Sequence, residues 1–238
     1  MLKIQKKETT TWHDYNNKIK QFIGKLLPYL DLDSCVFVGG IAINYHLHTS
    51  KRVFNDLDML QLNNHAVSPS VTREFMVYHY HKISHSNFLA LVDPETGIKI
   101  DIFPKSLPIH DICKIAIGNF LIPISGLEDQ LVKTVLDTQR VLSQNPFPVD
   151  PKQFSDAKLM LDIANIKLTE KYWSEISPSN GLVESFNKAQ QYTLKNPQLL
   201  KLHPFRHSKP YNCKECVDTP QFPITPMKDI HKVLGFVE

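Results

Sequence analysis

Hydrophobic and polar residues follow different periods in the two halves of this chain. Up to about residue 125, short β-branched runs are mixed with helical patterns, whereas residues 125–200 carry mainly the helical period. The apolar run at residues 35–38 ends at Gly39-Gly40, which predicts a buried strand that enters a tight turn. The apolar spacing at residues 41–47 fits either a strand or a helix, so the pattern alone leaves that segment open.

Further runs in the first half predict strands. Residues 56–60 alternate between polar and apolar side chains, as a half-buried strand does. Residues 88–92 and 98–103 are β-rich and flank the turn-forming segment 93–97, which predicts a hairpin. We therefore expect a sheet in this half.

The second half is expected to form helices. Ser125 and Glu128 fit a capping box, Asp150 and Pro151 fit an N-cap followed by the first helical position, and residues 182–194 predict a third helix. The apolar positions expected to face the core from the first two helices are Leu127, Leu131, Val132, Val135 and Leu142, then Phe154, Ala157, Leu161 and Ala164.

By pattern, the chain divides into a core at residues 1–124, a helical domain at 125–200 and a Pro/His/Cys-rich tail at 201–238. Its 238 residues are 42% hydrophobic and 21% charged, which is ordinary for a globular protein, and the net charge of +3 is too small to indicate a nucleic-acid partner. No run approaches the roughly 18 apolar residues of a membrane span, and the start lacks a secretory signal. We expect no membrane partner and a cytoplasmic location, with cysteines in a reducing compartment.

Two carboxylates on one predicted strand suggest a metal site. Residues i and i+2 of a strand point to the same face, so Asp56 and Asp58 would lie side by side. Such a pair is tolerated if it is solvated or if a cation lies between the two, and hard oxygen ligands suit Mg²⁺. Asp101, on one strand face with Lys99, is a candidate third ligand. For any single Asp on a strand, the alternative is a solvent-facing residue.

The order of these features resembles the DNA polymerase β superfamily of nucleotidyltransferases. That pattern is a hydrophobic strand with Gly-Gly or Gly-Ser, an Asp-x-Asp strand and a later strand Asp, here Gly39-Gly40, Asp56-Leu57-Asp58 and Asp101. Arg52, four residues before the Asp-x-Asp, makes the chain similar to AbiEii-type nucleotidyltransferases, many of which are toxins of toxin–antitoxin pairs. The resemblance covers roughly residues 34–165, and Phe54 stands where that family usually has Ser or Thr.

The resemblance implies an α/β (α+β) fold: a polymerase-β-like nucleotidyltransferase core with a mixed sheet, then a helical carboxyl-terminal half. It also makes the segment after Gly40 a helix, with the backbone of Gly39 and Gly40 approaching the triphosphate of an NTP such as ATP. Two Mg²⁺ ions are implied, with Asp56 and Asp58 bridging both and Asp101 completing the second site.

Cationic contacts to the triphosphate are implied at Lys133 and Arg52. From the residues alone, Lys133, Asp137 and Arg140 fit equally well a solvated helix face with an ordinary ion pair. The segment 152–156 is also similar to the family's helical half.

The tail gathers two His and two Cys residues in a short span. His203, His207, Cys213 and Cys216 suit a closed, tetrahedral structural Zn²⁺ site, which would hold together a segment with little apolar surface. A redox pair or two unligated thiols are the alternatives for Cys213 and Cys216.

Together these features predict a Mg²⁺-dependent nucleotidyltransferase that moves a nucleoside monophosphate from an NTP to an acceptor. The acceptor would be tRNA or a protein, as in toxin–antitoxin systems, or a small molecule, and a toxin would have a cognate antitoxin protein as partner. The competing hypothesis is a non-catalytic nucleotide-binding or regulatory protein that retains the fold.

Overall fold

The computed structural model describes residues 17–48, 56–63, 66–80, 88–96, 98–105, 107–144, 146 and 149–200. Its helices are α1 (Asn17–Leu26), α2 (Gly40–His46), α3 (Leu127–Thr138), α4 (Pro151–Leu161), α5 (Ile166–Ser174) and α6 (Leu182–Lys195). Its strands are β1 (Cys35–Val38), β2 (Asp56–Gln61), β3 (Met76–Tyr80), β4 (Phe88–Val92), β5 (Lys99–Pro104), β6 (Ile112–Ile117) and β7 (Phe120–Ser125). Short 3-10 helices lie at Leu27–Tyr29, Pro69–Arg73, Gln139–Leu142 and Pro197–Leu199.

The strands form one mixed sheet in the order β3-β4-β5-β2-β1-β7-β6. Strand β2 is central, parallel to β5 on one side and antiparallel to β1 on the other. Strand β7 runs parallel to β1, and the outer neighbours pair antiparallel. The predicted α/β fold with a mixed sheet and a following run of helices is therefore confirmed.

The strands expected at residues 35–38 and 56–60 are present, and β4 and β5 form the expected antiparallel hairpin. The ambiguous segment after Gly39 is helix α2, as the resemblance implied. Helix α2 links the two main cores of the molecule. Ile41 packs into the core beneath the sheet, whereas Ile43 packs among α3, α4, α5 and α6.

The predicted capping box at the start of α3 is wrong. Ser125 is the last residue of β7, Gly126 is the N-cap, and no side chain caps the helix. The Ser125 hydroxyl instead accepts a hydrogen bond from the Gln130 side-chain amide. The strand thus runs almost directly into the helix, and the Ser125 backbone stays in the sheet conformation.

One of the apolar positions expected to face the core lies elsewhere. Leu142 follows the end of α3 in a 3-10 turn and is 40% exposed. Ala164 follows the end of α4 but still packs, half-buried, against the helical core, as expected. The other predicted positions of the two helices are buried or half-buried, as expected for an amphipathic stripe.

The remaining helix predictions are largely confirmed. The Asp150 carboxylate accepts from the Lys152 backbone N–H at 2.9 Å, and Pro151 is the first residue of α4. Helix α6 matches the predicted third helix, but α5, whose buried Trp173 anchors the helical core, was not predicted. None of the described helices is long and apolar enough to cross a membrane.

Candidate active site

The pairing of two neighbouring strands brings the three predicted carboxylates together. In the parallel register of β2 and β5, Asp58 lies opposite Asp101 and Asp56 lies opposite Lys99. Because paired residues of adjacent strands project from the same face, Asp56, Asp58, Lys99 and Asp101 share one side of the sheet. The intervening Leu57 is fully buried in the opposite, apolar layer.

Asp101 is the most enclosed of the three acids. The residue is 8% exposed, whereas Asp56 and Asp58 are half-buried. Its Oδ2 accepts from the Lys99 ammonium at 2.6 Å, but the buried Oδ1 has no hydrogen-bond partner among the described residues. A buried carboxylate oxygen that lacks a donor is costly, so this atom is suited to binding a cation or a ligand donor.

Lys99 is the cation of this cluster. Its ammonium lies 2.6 Å from Asp101 Oδ2 and 3.7 Å from Asp56 Oδ2. Burial lowers the pKa of Lys99, but the charges of Asp101 and Asp56 outweigh that effect and hold its pKa above the usual range. The lysine is therefore charged at any pH near neutrality.

The two inner carboxylates are harder to ionise than ordinary aspartates. Burial, together with the charges of Asp56 and Asp101, raises the pKa of Asp58 to about 7. Burial also raises the pKa of Asp101 to about 6, although Lys99 acts against this rise. The cluster carries more negative charge than one lysine balances, which favours the binding of a further cation.

Gly39 is fitted closely against Asp58. Its φ of +64° lies in the left-handed region, and a Cβ atom at this position would overlap the Asp58 carboxylate oxygen Oδ2. The N–H of Gly39 donates to Gln130 Oε1 at 2.9 Å. Gln130 of α3 thus reaches back to the turn and binds this amide, and the predicted nucleotide contact of Gly39 remains a prediction. The predicted nucleotide contact of Gly40, the first residue of α2, remains a prediction.

Lys133 lies close enough to Asp58 for its charge to lower the pKa of that acid. Its ammonium is 2.8 Å from Asp137 Oδ2, one turn further along α3, and its side chain is 41% exposed. Arg140 lies beyond the end of α3 and is exposed. The structure thus contains the predicted ion pair while leaving the Lys133 side chain accessible to a ligand beside the carboxylates.

The cluster has the chemistry of a site for a hard cation such as Mg²⁺. Carboxylate oxygens are the protein ligands that Mg²⁺ prefers, and Asp101 Oδ1 is a buried acceptor with no hydrogen-bond partner among the described residues. The acids do not form a closed cage on their own. Within the described part of the chain, no three His, Cys, Asp or Glu side chains converge closely enough to hold a metal ion. The Lys99 ammonium instead lies beside Asp101 and Asp56.

Two residues of the site were not predicted from the sequence. The alternation of β5 placed Lys99 on the face of Asp101, and that signal could have identified it as the counter-ion. Gln130 is buried and bridges Gly39 and Ser125, and nothing in the helical pattern marks it.

Several predicted site residues lie outside the described residues. These are the triphosphate candidate Arg52 and the zinc candidates His203, His207, Cys213 and Cys216. Of the four cysteines, the described pair, Cys35 and Cys113, carry free thiols. A structural zinc ion in the tail remains a prediction.

No protein-family model matches the chain, and no curated protein matches it. Among solved structures, it is similar to an antigenic nucleotidyltransferase-like protein from Paracoccidioides brasiliensis, with 15% identity, 76% of this chain and 86% of that chain covered, and a TM-score of 0.43. It is also similar to the antibiotic-resistance factor ANT(2'')-Ia, with 12% identity, 75% and 97% covered, and a TM-score of 0.45. At these scores the likeness assigns neither an activity nor a ligand to this chain.

Proposed function

We propose that this chain is a Mg²⁺-dependent nucleotidyltransferase that transfers a nucleoside monophosphate from an NTP to an acceptor. The observation that carries the proposal is the placement of Asp56, Asp58 and Asp101 on one face of two adjacent parallel strands, with a buried Asp101 oxygen that has no described partner. Three carboxylates gathered in this way cost stability unless a cation or a substrate uses them. A solvated polar face would explain half-buried Asp56 but not enclosed Asp101.

Each residue has a role that follows from its position. Divalent ions held by Asp56, Asp58 and Asp101 would neutralise the triphosphate and lower the pKa of the acceptor hydroxyl. Asp101, with its raised pKa of about 6, is suited to accept the proton of that hydroxyl. Lys133 adds positive charge beside the cluster for the phosphates. Gly39 leaves room for the Asp58 carboxylate, because it has no Cβ atom to overlap it.

The finer assignment within the superfamily rests on the sequence. Arg52, four residues before Asp56, supports the AbiEii type, and with it a toxin that acts in the cytoplasm, is restrained by an antitoxin protein and modifies tRNA or a protein. A small molecule is the alternative acceptor. The acceptor is best identified by experiment, since its recognition depends on the helical half and the tail.

The test incubates the full chain with each α-labelled NTP, Mg²⁺ and a whole-cell extract, and asks which molecule becomes labelled. Asp58→Asn is expected to abolish labelling while thermal unfolding stays the same or moves slightly upward, because a repelling charge is removed. Asp33→Asn, at an exposed carboxylate that pairs only loosely with Lys114, is the matched control. Undiminished Mg²⁺-dependent labelling by the Asp58 variant would refute the catalytic assignment.

One observation favours a second candidate, a non-catalytic nucleotide-binding protein. Lys99 already compensates part of the carboxylate charge, as a lysine would in a site that has lost its metal. In that case the wild-type chain would bind NTP without labelling any acceptor, and neither binding nor stability would respond to Mg²⁺.

A further inference from the structure

The charges of the site favour a divalent cation together with Lys99. Asp56, Asp58 and Asp101 carry three negative charges when ionised, and Lys99 carries one positive charge in contact with Asp101. Lys133, whose charge also acts on Asp58, is itself paired with Asp137, so the cluster keeps a remainder of two negative charges, which equals the charge of one divalent ion. A second divalent ion would have to compete with an ammonium that is covalently part of β5 and cannot diffuse away.

The contacts of Lys99 also show which carboxylate has its charge compensated by the ammonium. Its ammonium is within hydrogen-bond distance of Asp101 and 3.7 Å from Asp56, and its charge also acts to lower the pKa of Asp58. Asp56 and Asp58, on one face of β2, therefore remain available to a metal ion as a pair. Asp101 is the acid whose charge is already largely compensated.

We propose that Lys99 is the resident cation of this cluster, that it takes the place of one of the two divalent ions, and that the chain uses a single Mg²⁺. This inference rests on the proposed function and deepens it. Lys99 would act as a positioning residue, holding Asp101 through its Oδ2 and supplying a fixed positive charge beside that carboxylate. An ammonium cannot coordinate the acceptor oxygen, so the proton of the acceptor would depend on Asp101.

The test counts bound ions. The full chain is saturated with a non-transferable α,β-imido NTP and titrated with Mn²⁺, and the free ion is followed by electron paramagnetic resonance. Wild type is expected to bind about one Mn²⁺ per chain and Lys99→Met about two, since removal of the ammonium frees Asp101. Lys99→Arg, which keeps the charge, should stay at about one. Lys114→Met, at a lysine on distant β6, is the matched control and should also stay at about one.

The outcomes separate the two proposals. Two ions bound to the wild-type chain, or one ion bound to a folded Lys99→Met chain, would overturn the role of Lys99 and leave the nucleotidyltransferase proposal intact. No Mn²⁺ bound to wild type with the analogue present would remove the metal site and with it the proposed function. The number of ions bound to the wild-type chain can by itself overturn the inference, so the test does not depend on the stability of the Lys99→Met variant.

Discussion

The carboxylate of Asp58 occupies the space that a side chain at Gly39 would need. We expect Gly39→Ala to destabilise the fold by about 1–3 kcal/mol through left-handed strain and overlap, and to displace Asp58 from its position. The rate of nucleotide transfer should fall by more than the loss of folded protein explains. Denaturant unfolding and transfer rates measure the two effects.

Gly118→Ala is the control for that variant. Gly118 has a similar φ of +61°, but the nearest atom to an added Cβ is Lys20 Cδ at 3.8 Å, an ordinary contact. The Gly118→Ala variant should lose stability only because alanine is strained at this positive φ, and it should keep the wild-type rate of transfer. Equal losses of transfer in the two variants would show that the contact between Gly39 and Asp58 has no part in activity.

Asp101→Asn tests the proton acceptor. We expect kcat to fall by at least about 100-fold while nucleotide affinity changes little, since the proposed work of Asp101 is on the acceptor hydroxyl. Steady-state kinetics and NTP binding to the same preparations give the comparison. A parallel loss of affinity and turnover would limit Asp101 to a ligand role.

Lys133→Met tests the phosphate contact. The KM for NTP should rise about 10-fold, equivalent to about 1.4 kcal/mol, with a smaller effect on kcat. Lys188→Met is the matched control, since Lys188 forms the same kind of i,i+4 ion pair, with Glu184 on α6. If both variants behave like wild type, the ion pair of Lys133 with Asp137 is only a surface contact.

His110 links the loop before β6 to the helical half, and its contribution to stability should depend on pH. Its ring stacks on Tyr172 and bonds Asp129 at 2.8 Å and Glu175 at 2.9 Å. Burial lowers the pKa of His110, but its bonds to Asp129 and Glu175 raise it above 6.5 overall. The added stability is therefore fully present below about pH 6.5 and is lost as pH rises through the folded-state pKa.

We expect the free energy of unfolding lost in His110→Gln to be about 1 kcal/mol larger at pH 5.5 than at pH 8.5. His46→Gln is a control of opposite sign, because burial lowers the pKa of His46 despite its bond to the Ser125 carbonyl. The stability lost in that variant should instead grow with pH. A loss in His110→Gln that is independent of pH would mean that the ring acts by packing alone.

The tail prediction is tested by metal analysis of the full chain purified without chelators. About one zinc per chain is expected, and Cys213→Ser should lose it without changing Mn²⁺ binding at the carboxylates. Zinc-free protein whose Cys213 and Cys216 are freely alkylated under native conditions would exclude the site.

The sequence predicted those parts of the molecule that depend on local periodicity. Alternation in β2 and β5 was sufficient to predict the face of its own strand on which each of Asp56, Asp58 and Asp101 lies, because side-chain direction in a strand is fixed by parity. The Asp150 cap was readable for the same reason, since a cap is satisfied by its neighbours in sequence.

The parts that were missed depend on contacts between distant residues. Ser125 had the residue type of a cap, but its pairing with β6 kept it in the sheet. Gln130 bonds Gly39, which lies 91 positions away, and the pairing of His110 with Glu175 spans 65. The contact of Lys99 with Asp101 is local to β5, but its contact with Asp56 depends on the pairing of β2 with β5.

Because β2 lies at the centre of the sheet, the chain can fold only if the acidic face of this strand points away from the apolar layer. An insertion or deletion that shifts β2 by one residue in its pairing would turn Asp56 and Asp58 into the layer that now holds Leu57 and Met59, where two carboxylates could not be solvated. Such a register shift should prevent folding and give an insoluble chain instead of a folded, inactive one. Insertions and deletions in natural or engineered relatives are thus expected to lie outside β2. Variant libraries that aim at a different activity should substitute residues of β2 and keep the length of the strand.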